Sequence, residues 1–148
     1  MGYKDLIKGK LGVEHNNGLM TEVQYLKIGE LLELNSPCNF LVFGLGNDSL
    51  IWNEINKDGK IIFLEDDMEW SDKFKDSGLN IHNIKYTTKI EDWESIKFNT
   101  DLLKLDLPQE VMDETWDVIL VDAPLGHQPP KPYKGPGRMQ SIYMASQL

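Results

Sequence analysis

The sequence predicts an α/β chain built on a parallel sheet, and three observations carry that prediction. Asn39-Phe40-Leu41-Val42-Phe43 and Lys60-Ile61-Ile62-Phe63-Leu64 are short apolar runs without polar alternation, the pattern of strands buried on both faces. A later run, Trp116-Asp117-Val118-Ile119-Leu120-Val121, has the same character. Helical patterns separate these runs, and strands alternating with helices make right-handed βαβ units. At 148 residues the chain fits one domain and can bury a real core.

Residues 1–20 read as a polar, glycine-containing N-terminal extension with a turn at Asn16-Asn17-Gly18, and 21–148 as the domain proper. Thr21 opens a helix, with Gln24 placed to complete a capping box. Val23, Leu26, Ile28, Leu31, Leu32 and Leu34 are taken as its apolar side, and Ser36-Pro37 ends it. Gly44-Leu45-Gly46-Asn47 follows the first strand, and Asp48 or Ser49 caps a helix running through Ile55. Asn56-Lys57-Asp58-Gly59 stops that helix, and the second strand then ends in Glu65-Asp66-Asp67. A short helix near Glu69–Asp76, a third strand around Asn83–Tyr86 and a helix over Glu91–Phe98 come next. The fourth strand ends at Asp122-Ala123-Pro124, and a Pro/Gly-rich loop to Gly137 feeds a final helix, Arg138–Leu148. The whole reads as Rossmann-like.

Composition excludes several functions. Fifteen Lys and Arg against 24 Asp and Glu, a formal charge of −9, leave no basic face for nucleic acid. Cys38 is the single cysteine, so there is no internal disulfide, and with three scattered histidines no Cys/His metal centre. Lys4, Asp5, Lys8 and Lys10 interrupt the first residues, which excludes the apolar core of a signal peptide. No stretch reaches the roughly 18–20 apolar residues of a membrane span, so the chain as written is expected to be soluble. Asn47 opens an Asn-x-Ser sequon, inside a loop where a glycan would block a ligand.

The candidate chemistry lies at the strand ends. Gly44-x-Gly46 before a helix suits a ligand pressed against backbone N–H groups, although plain strand-to-helix turns share the pattern. Ser49 stands where a dinucleotide site wants a third glycine, which disfavours a pyrophosphate ligand. Glu65 ends the second strand where Rossmann-type sites hydrogen-bond a ribose diol. The alternative is that Glu65, Asp66, Asp67 and Glu69 form a solvated acidic turn, and that reading is preferred for Asp67 and Glu69. Asp122 ends the fourth strand, beside the glycine turn if the first and fourth strands are neighbours. A carboxylate or imidazole there can take a proton from an attacking hydroxyl, and Asp122 and His127 are the two candidates. Five of the seven prolines follow or open the next loop, which reads as a rigid wall or as a linker. Arg138, the sole arginine, can grip a carboxylate bidentately or pair with a surface acid.

Taken together, these segments resemble a plant polysaccharide-biosynthesis family, the glucuronoxylan and arabinogalactan glucuronic-acid 4-O-methyltransferases. The resemblance runs in order through Ser36 to Gly46, Asp48-Ser49-Leu50, Phe63 to Asp67 and Tyr86-Thr87-Thr88-Lys89. It continues through Leu107 to Val111, Trp116-Asp117, Val121 to Pro124 and Gly135 to Met139. It implies a class I S-adenosylmethionine methyltransferase sheet that stops short of the family's C-terminal strands. A partner or further segment is then expected over the fourth-strand edge. It also implies methyl transfer from S-adenosylmethionine to O4 of glucuronic acid on an acidic cell-wall polysaccharide such as glucuronoxylan. Under it, Gly44, Leu45, Gly46, Asn47, Asp48, Ser49, Glu65, Asp66 and Asp122 hold the cofactor. Asp122 and His127 are the catalytic candidates, and Arg138 faces the anionic sugar. The family usually has His where this chain has Asn47, a shorter loop than Gly126–Gly135, and a Golgi membrane anchor. The alternative is a non-catalytic relative in xylan biosynthesis, or a truncated cofactor-binding protein.

Overall fold

The computed structural model describes residues 2–10, 20–125 and 134–148. Strands β1 (Asn39–Phe43), β2 (Lys60–Glu65), β3 (Ile81–Asn83) and β4 (Val118–Val121) form one sheet in the order β3-β2-β1-β4. Every neighbouring pair is parallel. Around it lie α1 (Tyr3–Lys10), α2 (Glu22–Asn35), α3 (Ser49–Ile55), α4 (Met68–Phe74), α5 (Trp93–Ile96), α6 (Thr100–Leu103), α7 (Gln109–Met112) and α8 (Met139–Ala145).

Side chains alternate along a strand, so β1 and β2 each feed two cores. Phe40, Val42, Ile61 and Phe63 pack with Tyr25, Leu32, Ile51, Trp52 and Phe74 on one face. Leu41, Phe43, Ile62 and Leu64 pack with Leu105, Leu107, Val111 and Met144 on the other. Two covered faces are the physical reason for the unalternated runs that predicted the sheet. β4 is only half-buried along its length.

The Thr21 capping box forms as expected: Thr21 Oγ1 accepts from Gln24 N, and Gln24 Oε1 accepts from Thr21 N at 2.7 Å. The buried stripe of α2 differs from the predicted one. Tyr25, Gly29 and Leu32 face inward, whereas Val23, Leu31 and Leu34 are exposed. The reason is α1, a helix that the polar look of residues 1–20 concealed. Ile7 is fully buried, and a Cβ on Gly29 would lie 2.6 Å from Ile7 Cδ1 and 2.7 Å from Tyr3 Cδ2. Gly29 therefore turns the helix by letting α1 dock against its backbone.

Other boundaries shift for local reasons. β3 is Ile81–Asn83, earlier than predicted, because Asn83 is already paired with Glu65, where β2 ends. β4 starts at Val118, and just before it Asp117 caps the neighbouring strand, its Oδ2 accepting from Asn39 N at 2.8 Å. The helix expected over Glu91–Phe98 shortens to a 3-10 turn, Ile90–Asp92, running into α5. Asn56 closes the α3 stop as a buried clamp, with Oδ1 accepting from Cys38 N at 3.0 Å and Nδ2 donating to Cys38 O at 2.8 Å. Among the described residues, no helix is long and apolar enough to cross a membrane.

Candidate functional site

In the order β3-β2-β1-β4, the chain moves outward from β1 to β2 and β3, then returns to the other side of β1 for β4. The carboxyl ends of β1 and β4 flank this switch, where open parallel sheets leave a crevice. A cleft of about 780 Å³ opens there, a size typical of small-molecule sites.

Backbone bonds fix its floor. Phe43 O accepts from both Asp122 N (2.9 Å) and Ala123 N (2.8 Å), which clamps the end of β4 to the end of β1. Gly44 leaves β1 at φ +121°, and a Cβ there would stand 2.8 Å from Ala123 Cβ. Only glycine satisfies both the left-handed backbone and that approach. Asp122 thus comes to lie beside the glycine turn, as the sequence predicted.

The turn residues divide into two groups. Gly44, Leu45, Gly46, Asn47 and Asp48 line the cleft. Ser49, expected to meet cofactor, is 1% exposed; its Oγ accepts from Gly46 N at 3.0 Å and shapes the turn from inside. Asp48 occupies the N-cap of α3 but makes no side-chain cap bond; its Oδ2 accepts from Trp52 Nε1 at 3.1 Å. Asn47 Oδ1 accepts from Lys73 Nζ at 2.9 Å, linking the turn to α4.

Glu65 is buried and ties the turn to the end of β2. Its Oε2 accepts from Leu45 N at 2.8 Å, and its Oε1 from Asp66 N (2.9 Å) and Asp67 N (2.8 Å). A carboxylate offers about four acceptor positions, so these bonds leave one, on Oε2. Glu65 was expected to take both ribose hydroxyls and keeps one acceptor position for such a role, and the neighbouring Asp66 also lines the cleft. Burial pushes the carboxyls of Glu65 and Asp66 above their ordinary range, against the hydrogen bonds that lower them. Asp67 is the N-cap of α4, its carboxylate accepting from Glu69 N at 2.9 Å, in keeping with the structural reading of that turn.

Asp122 is half-buried, and desolvation raises its carboxyl while the Arg138 charge lowers it by less. Arg138 does not present a free fork. Its Nε donates to Pro124 O at 2.6 Å, and its Nη1 to Val121 O at 3.1 Å. Nη2 donates to Asp122 O and stands 3.8 Å from Asp122 Oδ1. The predicted bidentate grip on an anionic sugar is displaced, because the last carbonyls of β4 and its exit turn take those donors. Arg138→Lys is expected to cost about 1–2 kcal/mol, since one ammonium cannot span three carbonyls. Urea denaturation measures this, and unchanged stability would remove the carbonyl-holding role. His127 lies outside the described residues.

Sequence reading missed several contributors. Met20, Gln24, Tyr25, Trp70 and Leu125 also line the cleft. Tyr25 stacks on Trp52 with centroids 5.8 Å apart, and its phenol is pushed up to about 12 by burial, then by Asp48 and Asp122. The spacing Tyr25, Gly29, Leu32 was the available signal for the inward stripe. Behind the cleft, Ser141 Oγ donates to Ala123 O at 3.1 Å, and Gln140, fully buried, accepts from Thr87 N at 2.9 Å and donates to Lys104 O at 2.9 Å. These bonds anchor α8 under the exit of β4. Among the described residues, no group of three or more His, Cys, Asp or Glu forms a metal site.

The strand order and the clamp from Phe43 to Asp122 define a class: α/β proteins compatible with the Rossmann-like fold, with a ligand crevice at the carboxyl edge of a parallel sheet. Within that class the chain belongs to the IRX15/IRX15L/GXM family, whose model matches residues 22–101 and 94–148. It is similar to Glucuronoxylan 4-O-methyltransferase 2 of Arabidopsis thaliana, 38% identical over 136 residues that cover 80% of this chain and 46% of the relative. Arabinogalactan O-methyltransferase 1 of the same plant is 37% identical over 137 residues, covering 78% of this chain and 46% of that one. Protein IRREGULAR XYLEM 15, also from Arabidopsis thaliana, is 33% identical over 133 residues, covering 76% and 40%. The chain spans about half the length of the curated relatives it matches. No solved structure matches it.

Proposed function

We propose that this chain forms the methyl-donor site of an S-adenosylmethionine-dependent O-methyltransferase acting on O4 of glucuronic acid in a cell-wall polysaccharide such as glucuronoxylan. One observation carries the reading: the Gly44 turn, Glu65 and Asp122 meet in a single cleft, in a chain whose relatives are named as O-methyltransferases of glucuronoxylan and arabinogalactan.

The residues present fit the donor. The cleft has the volume of a small-molecule site, and Gly46 lets the Asp48 carboxylate lie against the turn, since a Cβ there would stand 2.7 Å from Asp48 Oδ1. Backbone of the Gly44–Asp48 turn, the remaining acceptor of Glu65, and Asp66 would hold the nucleoside. When bound, S-adenosylmethionine supplies a methyl group activated on a sulfonium. Asp122, as a carboxylate, accepts the proton of the acceptor hydroxyl, and its raised carboxyl makes it a stronger base than a solvated aspartate. Arg138 keeps that carboxylate in place by holding its backbone.

The test is incubation with methyl-labelled donor and a glucuronic-acid-bearing xylo-oligosaccharide. Label at O4 is the expected result. Donor binding without label transfer favours a second reading, cofactor or partner binding without turnover, which similarity to Protein IRREGULAR XYLEM 15 also supports. Absence of donor binding by the folded chain removes the transferase reading and leaves only partner binding without a cofactor.

A further inference from the structure

The cleft is one-sided in charge. Among the described residues, Asp48, Glu65, Asp66, Asp67 and Asp122 line it, against a single cation, Arg138. That guanidinium is held by three backbone carbonyls and sits 3.8 Å from Asp122. Tyr25 also lines the cleft, only 4% exposed, with its ring stacked on Trp52. Trp52 in turn donates to Asp48, so ring, indole and carboxylate form one connected wall. Asp48 and Asp122 line the same cleft as Tyr25, and their charges add to the burial that raises its phenol.

We propose that Tyr25, Asp48 and Asp122 read the charge of the methyl donor, favouring the sulfonium over the neutral thioether left after transfer. The inference rests on the donor reading above and adds the discrimination of donor from product. Transfer breaks the S–CH₃ bond and forms the O–CH₃ bond. The bonding pair stays on sulfur, which becomes neutral, and the acceptor's proton goes to Asp122. A half-buried carboxylate and an aromatic face stabilise a cation and gain nothing from a thioether. The cleft therefore loosens its hold once the methyl group has left.

Calorimetric titration of the whole chain at low ionic strength tests this with three ligands: S-adenosylmethionine, S-adenosylhomocysteine, and an analogue with a protonated amine in place of the sulfonium methyl. The two cationic ligands are expected to bind at least about tenfold more tightly than the thioether. Asp122→Asn and Tyr25→Leu each narrow that ratio to about threefold or less by weakening the cations alone. Tyr25→Phe, which keeps the ring, preserves it and covers the case where the leucine variant does not fold. Thioether binding as tight as donor binding, or a parallel loss of all three ligands in Asp122→Asn, overturns the proposal while leaving the donor site standing. Failure of the folded wild-type chain to bind any of the three overturns the donor reading and this proposal with it.

Discussion

Glu65→Ala is expected to remove detectable S-adenosylmethionine binding and to lower the stability of the chain by about 2–4 kcal/mol. Two roles meet in this carboxylate. It holds the N–H groups of Leu45, Asp66 and Asp67, so that the β1 and β2 exits share one buried acceptor. Truncation leaves these donors without a partner at a position only 5% exposed, and each such loss costs about 1–3 kcal/mol before water fills the space. Leu45 lies inside the glycine turn, so its release also lets the cofactor wall move. Glu65→Gln separates the roles. One amide oxygen keeps part of the backbone tie, while the NH₂ group faces a donor and the anionic acceptor for a ribose hydroxyl is gone. The glutamine variant should recover about half of the lost stability, with donor affinity still down by about 100-fold or more. Urea denaturation and calorimetry read the two effects separately. Donor affinity within a few-fold of wild type in Glu65→Ala would sink the ribose role and leave Glu65 a structural clamp.

Much of this site was legible in the sequence because short-range chemistry decides it. The apolar runs of β1 and β2, the Thr21/Gln24 box, Gly44 and the acidic end of β2 each follow from local pattern. What escaped was set by groups distant in sequence. The spacing of Tyr25, Gly29 and Leu32 marks a stripe within Glu22–Asn35, but it is the docking of Tyr3 and Ile7 on Gly29 that makes this stripe the inward one. Ser49 was expected at the cofactor from the family resemblance; in the fold its hydroxyl accepts from Gly46 N and serves the turn itself. Arg138 invited a substrate role as the one arginine beside a proline-rich loop. Its partners are the carbonyls of Val121, Asp122 and Pro124, which no side-chain pattern advertises. Gln140, polar and fully buried, joins the segments around Thr87 and Lys104 through bonds equally invisible along the chain.

Asp122→Asn is expected to lower the rate of methyl transfer to a glucuronic-acid-bearing xylo-oligosaccharide by about 10²–10⁴-fold, the usual worth of a general base. Its backbone is fixed from two sides, by Phe43 O and by Arg138, so the substitution changes charge with little change of position. Donor affinity should fall far less than the rate, because on the proposed reading the glycine turn and the end of β2 would still hold the nucleoside. The pH dependence separates a proton acceptor from a merely structural acid. Burial raises the Asp122 carboxyl more than the Arg138 charge lowers it, so protonation begins at a pH above the usual aspartate range. The active form is the carboxylate. Wild-type activity should therefore be full at neutral pH and fall as the pH drops through that raised value, while the asparagine variant stays low and shows no such step. A variant that keeps its rate within about tenfold of wild type and retains the acid limb would deny Asp122 the role of base. That outcome would pass the role to His127, the other candidate for the base.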